Sequence, residues 1–283
     1  MMRVIVVGLA ALLLAAPAMA QTRFVATVTG KGPDVVLIPG LASSDDVWDA
    51  TVKQLSATHR VHALQVKGFA GEPSGSNADG PILAPLIEEV AAYAAKLDKP
   101  AIIGHSLGGL TALEVAARHP DSVDRVMIVD ALPFYALLFA PTATVEMVKP
   151  QAEMMRTQAI GMTDEQFAAG QDRTMAMLVK TEASRAAPKE WSLKSDRKVV
   201  ATAMYEDMIE DARPLLPQIK ARTTIVYAYD AQMGRPAEFV DGMYAKAYEG
   251  LAGPKLKRID GSFHFIMLDQ PEAFAKEVDA FLK

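Results

Sequence analysis

Short, solid apolar runs alternate along the chain with longer stretches whose apolar residues recur every three to four positions. "DVVLIP" at 34–39 is a β-branched run of the kind buried on both faces of a sheet. "RFVATVTG" at 23–30 alternates instead, as a half-exposed strand does, and ends at a glycine. "RVHALQV" (60–66), "PAIIGH" (100–105), "RVMIVDAL" (125–132), "TTIVYAYD" (223–230) and "KLKRIDG" (255–261) read as five further strands. Helical periodicity fills the gaps at 81–97, with Asp79 as its start signal, and at 107–118, 236–249 and 271–282. Strands and helices in this order predict an α/β fold: a mostly parallel, doubly wound sheet covered by helices on both faces.

One interval breaks the rhythm. From 133 to 217 no buried strand pattern occurs, and Pro141, Pro150, Pro188, Pro214 and Pro217 punctuate a helical composition. Eight of the fifteen methionines lie there. The interval is expected to be a helical cap, inserted after the strand that ends near Asp130. The core would then be 21–132 together with 218–283.

The first twenty residues stand apart. "MMRVIVVGLAALLLAAPAMA" has one arginine, a short apolar run and a closing Ala18-Met19-Ala20. That is the layout of a secretory signal peptide, with cleavage expected after Ala20 and a periplasmic or secreted product. The run is short for a membrane span, so no stable membrane insertion is expected once it is removed. The 283-residue chain has no cysteine, which excludes disulfides and a thiol nucleophile. A net charge of −5 gives no footprint for nucleic acid.

The candidate chemistry lies in "PAIIGHSLGGLTALEVAARHP", residues 100–120. A buried strand runs into Gly104-His105-Ser106-Leu107-Gly108, and an amphipathic helix follows. Strand, Gly-x-Ser-x-Gly and helix together form the context of a nucleophile elbow, in which a tight turn lifts the hydroxyl clear of the sheet. Gly104 and Gly108 omit Cβ atoms where strand and helix pass closely. The plain structural alternative is Ser106 as a helix N-cap. A serine hydroxyl needs a base at neutral pH. Of the five histidines, His105 is expected to point away from the site, His119 to cap a helix, and His59 and His62 to be surface or satisfied core residues. His264, in "GSFHFIMLDQPEAF", follows the last strand, at the sheet end where ligands gather. It is the expected base.

Four segments in order resemble the α/β-hydrolase superfamily, in particular exported, cap-bearing serine esterases and lipases. "LIPGLASSDDVW" resembles the oxyanion loop, "VKGFAGEPSG" the Gly-rich loop after the next strand, "GHSLGG" the elbow, and "GSFHFIMLDQPEAF" the histidine segment. Pro39 stands where the family usually has histidine, and "AYDAQ" replaces the more familiar Gly-x-x-Asp. The resemblance implies a triad of Ser106 and His264 with an acid. Asp230, after the penultimate strand, is the expected acid, with Asp130 as the alternative. It also implies an oxyanion hole built from the backbone N–H groups of Leu41 and Leu107.

The function so implied is hydrolysis of carboxylic esters with small or medium apolar acyl groups through an acyl-enzyme. The same triad serves amide hydrolysis of the aminopeptidase type and C–C bond hydrolysis, and a non-catalytic binding protein on a hydrolase scaffold is the reading of another class. A small ester-like molecule is the expected partner. No H-E-x-x-H spacing and no strand-linked G-x-G-x-x-G occurs, so neither a metal nor a dinucleotide cofactor is expected.

Overall fold

A computed structural model describes residues 23–283. The leader at 1–20 and its cleavage after Ala20 lie outside these residues. In chain order the elements are β1 (Phe24–Gly30), β2 (Asp34–Ile38), α1 (Asp49–Leu55), β3 (Arg60–Val66), α2 (Leu83–Ala94), β4 (Ala101–His105), α3 (Leu107–Arg118) and β5 (Arg125–Val129). Four helices follow: α4 (Val145–Gly161), α5 (Asp164–Leu178), α6 (Ala186–Lys194) and α7 (Arg197–Ile209). The chain then returns to β6 (Arg222–Tyr229), α8 (Ala237–Ala247), β7 (Lys255–Asp260), α9 (Ile266–Asp269) and α10 (Pro271–Leu282).

All seven expected strands form, in one sheet of order β1-β3-β2-β4-β5-β6-β7. Only β1 is antiparallel, paired with β3 over Phe24↔Val66 to Gly30↔Arg60. That accounts for its alternating pattern, since an outer strand keeps one wet face. The central strands bury both faces, and successive side chains serve different layers. Val36, Ile38, Ile102, Val126 and Ile225 pack with α2, α3 and α8. Their neighbours Val35, Leu37, Ile103, Met127 and Val226 pack with α1 and α10 on the other face. There Trp48 stacks on Phe274, ring centroids 6.1 Å apart. Burying a side chain of this size contributes about 1.5–3 kcal/mol.

Two local expectations are corrected. Asp79 does not start α2; its carboxylate pairs with Lys198. The N-terminus of α2 is satisfied from outside, by Glu206 on α7, whose carboxylate accepts from Ile82 N (2.9 Å) and Leu83 N (2.6 Å). Pro150 does not break the chain but lies inside α4, six positions into the helix. The helix α1 went unread because seven residues are too few for a visible period. Among the described residues no helix is long and apolar enough to cross a membrane.

Candidate active site

Ser106 sits between the central strand β4 and α3 with φ 54° and ψ −123°, a conformation costly for any residue with a Cβ. Its amide donates to Val129 O of β5 (2.9 Å), and its carbonyl accepts from Gly109 N (2.7 Å) and Leu110 N (3.0 Å). It does not cap the helix with its hydroxyl, which leaves that group free for chemistry. The flanking glycines are required by space. A Cβ on Gly104 would lie 2.0 Å from Gly108 O, and one on Gly108 would lie 2.4 Å from Ile38 O.

The turn after β2 closes over this elbow. A Cβ on Gly40 would come within 2.9 Å of His105 Nδ1 and 3.1 Å of Ser106 Cβ, so the Gly40–Leu41 backbone stands beside the serine. Leu107 opens α3, where the first amides have no acceptor within the helix. Leu41 and Ser106 line one cavity of about 520 Å³.

His264 reaches the same cavity from the far edge of the sheet. Its loop is pinned at several points. Gly261 N donates to Tyr229 O (2.8 Å), Phe265 N donates to Leu178 O (3.1 Å), and Ser262 Oγ donates to Ile259 O (2.8 Å). Asp269 gathers Phe263 N, Lys180 N and Thr181 N at 2.8–3.0 Å, tying this loop to the segment after α5. Sequence reading missed that role, because "LDQ" carries no signal of the amides it meets.

The acid expected at Asp230 is not in contact with His264. Asp230 Oδ2 accepts from Lys180 Nζ (2.6 Å), and Oδ1 accepts from Gln232 N (2.8 Å), capping the turn at 231–233. The Lys180 bond holds its carboxyl below the usual range. The alternative, Asp130, meets the imidazole: Asp130 Oδ2 lies 2.7 Å from His264 Nδ1. Its other oxygen accepts from Ala228 N (2.9 Å) and Tyr244 OH (3.0 Å). Strand order explains the choice. The imidazole returns from beyond β7 towards Ser106 on β4, and the carboxylate nearest that end point stands on β5, not β6. Asp130 itself has φ 46°, a left-handed kink that turns the chain out of β5. Burial works against its ionisation, but the hydrogen bond and charge of His264 outweigh that and keep its pKa lowered.

His105 is also corrected. It does not point away: its Nε2–H donates to His264 O (3.0 Å), and the two rings lie 4.5 Å apart. Burial, with the neighbouring His264 charge, lowers its pKa to about 3, so the ring is neutral. His62 fits the core reading, bonded to Asp34 (2.8 Å) and Tyr93 OH (2.7 Å). His119 pairs with Glu88 (3.2 Å).

The rest of the cavity wall comes from α4 to α7, with Met155, Met162, Met175, Met204 and Met208 among its apolar surface. Asp207 on α7 also faces it, and sequence reading gave this residue no role.

A family model described as the alpha/beta hydrolase family matches residues 35–277, and the chain belongs to that family. Among curated proteins it is similar to a pimeloyl-[acyl-carrier protein] methyl ester esterase of Vibrio atlanticus, 36% identical over 116 residues, which are 40% of this chain and 42% of that one. An abhydrolase domain-containing protein of Schizosaccharomyces pombe is 32% identical over 126 residues, 41% of this chain and 43% of that one. The match thus spans about two-fifths of the length of these relatives. Among solved structures, an enol-lactonase from Burkholderia xenovorans superposes with a TM-score of 0.74 at 20% identity, over 92% of this chain and 96% of that one. A thermophilic esterase from Thermogutta terrifontis gives a TM-score of 0.74 at 18% identity, over 92% of both chains. The likeness to these two is one of fold.

Proposed function

We propose that the protein is a serine-dependent carboxylic ester hydrolase with Ser106 as nucleophile, His264 as base and Asp130 as the acid. The observation that carries this reading is the 2.7 Å contact between Asp130 Oδ2 and His264 Nδ1, beside a strained serine in the same cavity. With Nδ1–H donated to the carboxylate, Nε2 is the nitrogen left to accept a proton. Ser106 Oγ attacks the acyl carbon as its proton passes to His264 Nε2. The tetrahedral oxyanion is held by the amides of Leu41 and Leu107, each such donor contributing about 2.7–4 kcal/mol. Collapse breaks the C–O bond, and the proton on Nε2 leaves with the alcohol. Water, deprotonated by the same nitrogen, then releases the carboxylic acid and restores Ser106. Asp130 stays ionised throughout, consistent with its lowered pKa.

The helices between β5 and β6 serve in this reading as a cap over residues 133–217. A cavity of about 520 Å³ walled by methionines suits small or medium apolar acyl groups. The curated relatives named as esterases favour an ester over an amide. The signal-like residues 1–20 support a periplasmic or secreted enzyme; N-terminal sequencing of the mature protein should begin at Gln21, and a retained Met1 would refute this. The function is tested with nitrophenyl esters of rising chain length and a fluorophosphonate probe, on wild type and Ser106→Ala. Turnover and labelling are expected in the first and absent from a well-folded second. Turnover retained by Ser106→Ala would overturn the mechanism, and a wild-type protein that is neither labelled nor active would favour a binding scaffold.

A further inference from the structure

Asp207 is a carboxyl in the wrong company. It projects from α7 into the cavity shared by Ser106 and His264, whose wall is otherwise largely apolar. Among the described residues it makes no hydrogen bond and no ion pair. The groups near enough to act on it, or to feel it, are His264 and the Tyr135 phenol. Burial pushes its pKa up to about 7, against the pull of His264. The two arginines on the same wall point their terminal nitrogens elsewhere, Arg156 to Glu153 and Arg197 to Asp164 and Met162 O, and neither bonds Asp207; Arg197 Nε is left buried without a partner. Gln171, 6% exposed on α5, adds a second unpartnered group, its Oε1, to the same cavity.

Asp207 is partly buried, open to the cavity but not to bulk water at large, and a carboxyl so placed without a protein partner gains from a hydrogen-bond donor. Neither the Tyr135 phenol nor Arg197 Nε, both on the same wall, is hydrogen-bonded to Asp207, and the cavity is where a ligand enters. On the reading of this cavity as an ester-hydrolase site, we propose that Asp207 is a specificity-determining residue. It pairs with a hydrogen-bond-donating group, an ammonium or hydroxyl, on the acyl part of the substrate and disfavours a carboxylate there. Asp207 and His264 line the same cavity and feel one another's charge, so the donor is placed on the acyl chain rather than beyond the cavity. Gln171 supplies a further acceptor along the same wall.

Four ethyl esters of matched length test this: 3-aminopropanoate, 3-hydroxypropanoate, butanoate and malonate (the monoester). Their kcat/KM values are measured at pH 8 by titration of released acid, for wild type and Asp207→Asn. The expected result is that wild type prefers the amino and hydroxy esters over the malonate monoester. The ratio of amino to malonate ester should fall at least tenfold in Asp207→Asn. A ratio that stays within twofold overturns the proposal, whatever happens to absolute rates. Should wild type hydrolyse none of the four, the ester-hydrolase reading is what fails. The pairing is then read by thermal shift of Ser106→Ala with the same esters as ligands, alone and combined with Asp207→Asn. Stabilisation by the amino ester that survives Asp207→Asn unchanged, or that never appears, also overturns the proposal.

Discussion

Asp130 and His264 are 134 residues apart in sequence and meet at 2.7 Å, carboxylate oxygen to Nδ1. Asp230, one strand further out, is bound to Lys180 instead. Replacing each by asparagine should therefore separate chemistry from structure. Asp130→Asn is expected to cut the turnover number by about 10⁴, because an amide there favours the wrong imidazole tautomer. Asp230→Asn should keep most of the turnover and lose about 1 kcal/mol of stability with its ion pair and turn cap. Turnover and denaturant midpoints of both variants decide it; an inactive, fully stable Asp230→Asn would reverse the assignment.

Ser106 carries left-handed strain that a glycine would not feel. Ser106→Gly and Ser106→Ala should both be inactive, but the glycine variant should be the more stable by about 1 kcal/mol. Equal melting midpoints would mean that the elbow is not strained. By contrast Gly104→Ala should fail to give folded protein, because its Cβ would meet backbone at 2.0 Å.

The five inner strands were legible because apolar, largely β-branched runs are local signals that burial on both faces demands, while β1 showed in the alternation of an outer strand. The serine was legible because the elbow needs glycines at fixed offsets. The carboxylate that meets His264 was not, since "YD" after β6 and "VD" after β5 look alike in sequence. What separates them is tertiary: Lys180 arrives beside one and His264 beside the other. Asp207 was invisible for a similar reason, as nothing in "YEDMIE" says which carboxylate turns inward and which, like Glu206, reaches across to cap α2.

That cap is itself testable. Glu206 accepts both Ile82 N and Leu83 N. Glu206→Ala should cost about 1–2 kcal/mol by leaving those amides unpaired and removing a negative charge from a helix N-terminus. A urea midpoint unchanged from wild type would mean that water replaces the carboxylate at no cost.

Glu114 predicts a pH signature in stability. Its side chain is fully buried, Oε2 bonded to Arg118 Nε (2.8 Å) and Oε1 unpartnered. Burial, with the charge of Glu210, raises its pKa from 4.5 to about 7. Between those values the unfolded chain releases a proton that the folded protein keeps. Stability should therefore fall as pH rises through that window, by at most about 1.4 kcal/mol per unit, and level off above it. Glu114→Gln removes the effect, so its stability relative to wild type should grow from pH 4.5 to 7.5. A difference that is constant across that range would show that Glu114 does not titrate in the fold.

Asp130 leaves β5 and Arg222 opens β6, so everything from α4 to α7 is the crossover between two neighbouring parallel strands. Such a link has a minimum length of about a dozen residues but no maximum set by the sheet. Its closure cost grows only as the logarithm of its length, about 0.6 kcal/mol for each doubling. Ser106, Asp130 and His264 all hang from strand ends outside that link, whereas Asp207 and the methionine wall hang within it. The chain can therefore be re-tailored between these two seams, lengthened or exchanged wholesale, and so acquire a new appetite while its cutting edge stays as it is.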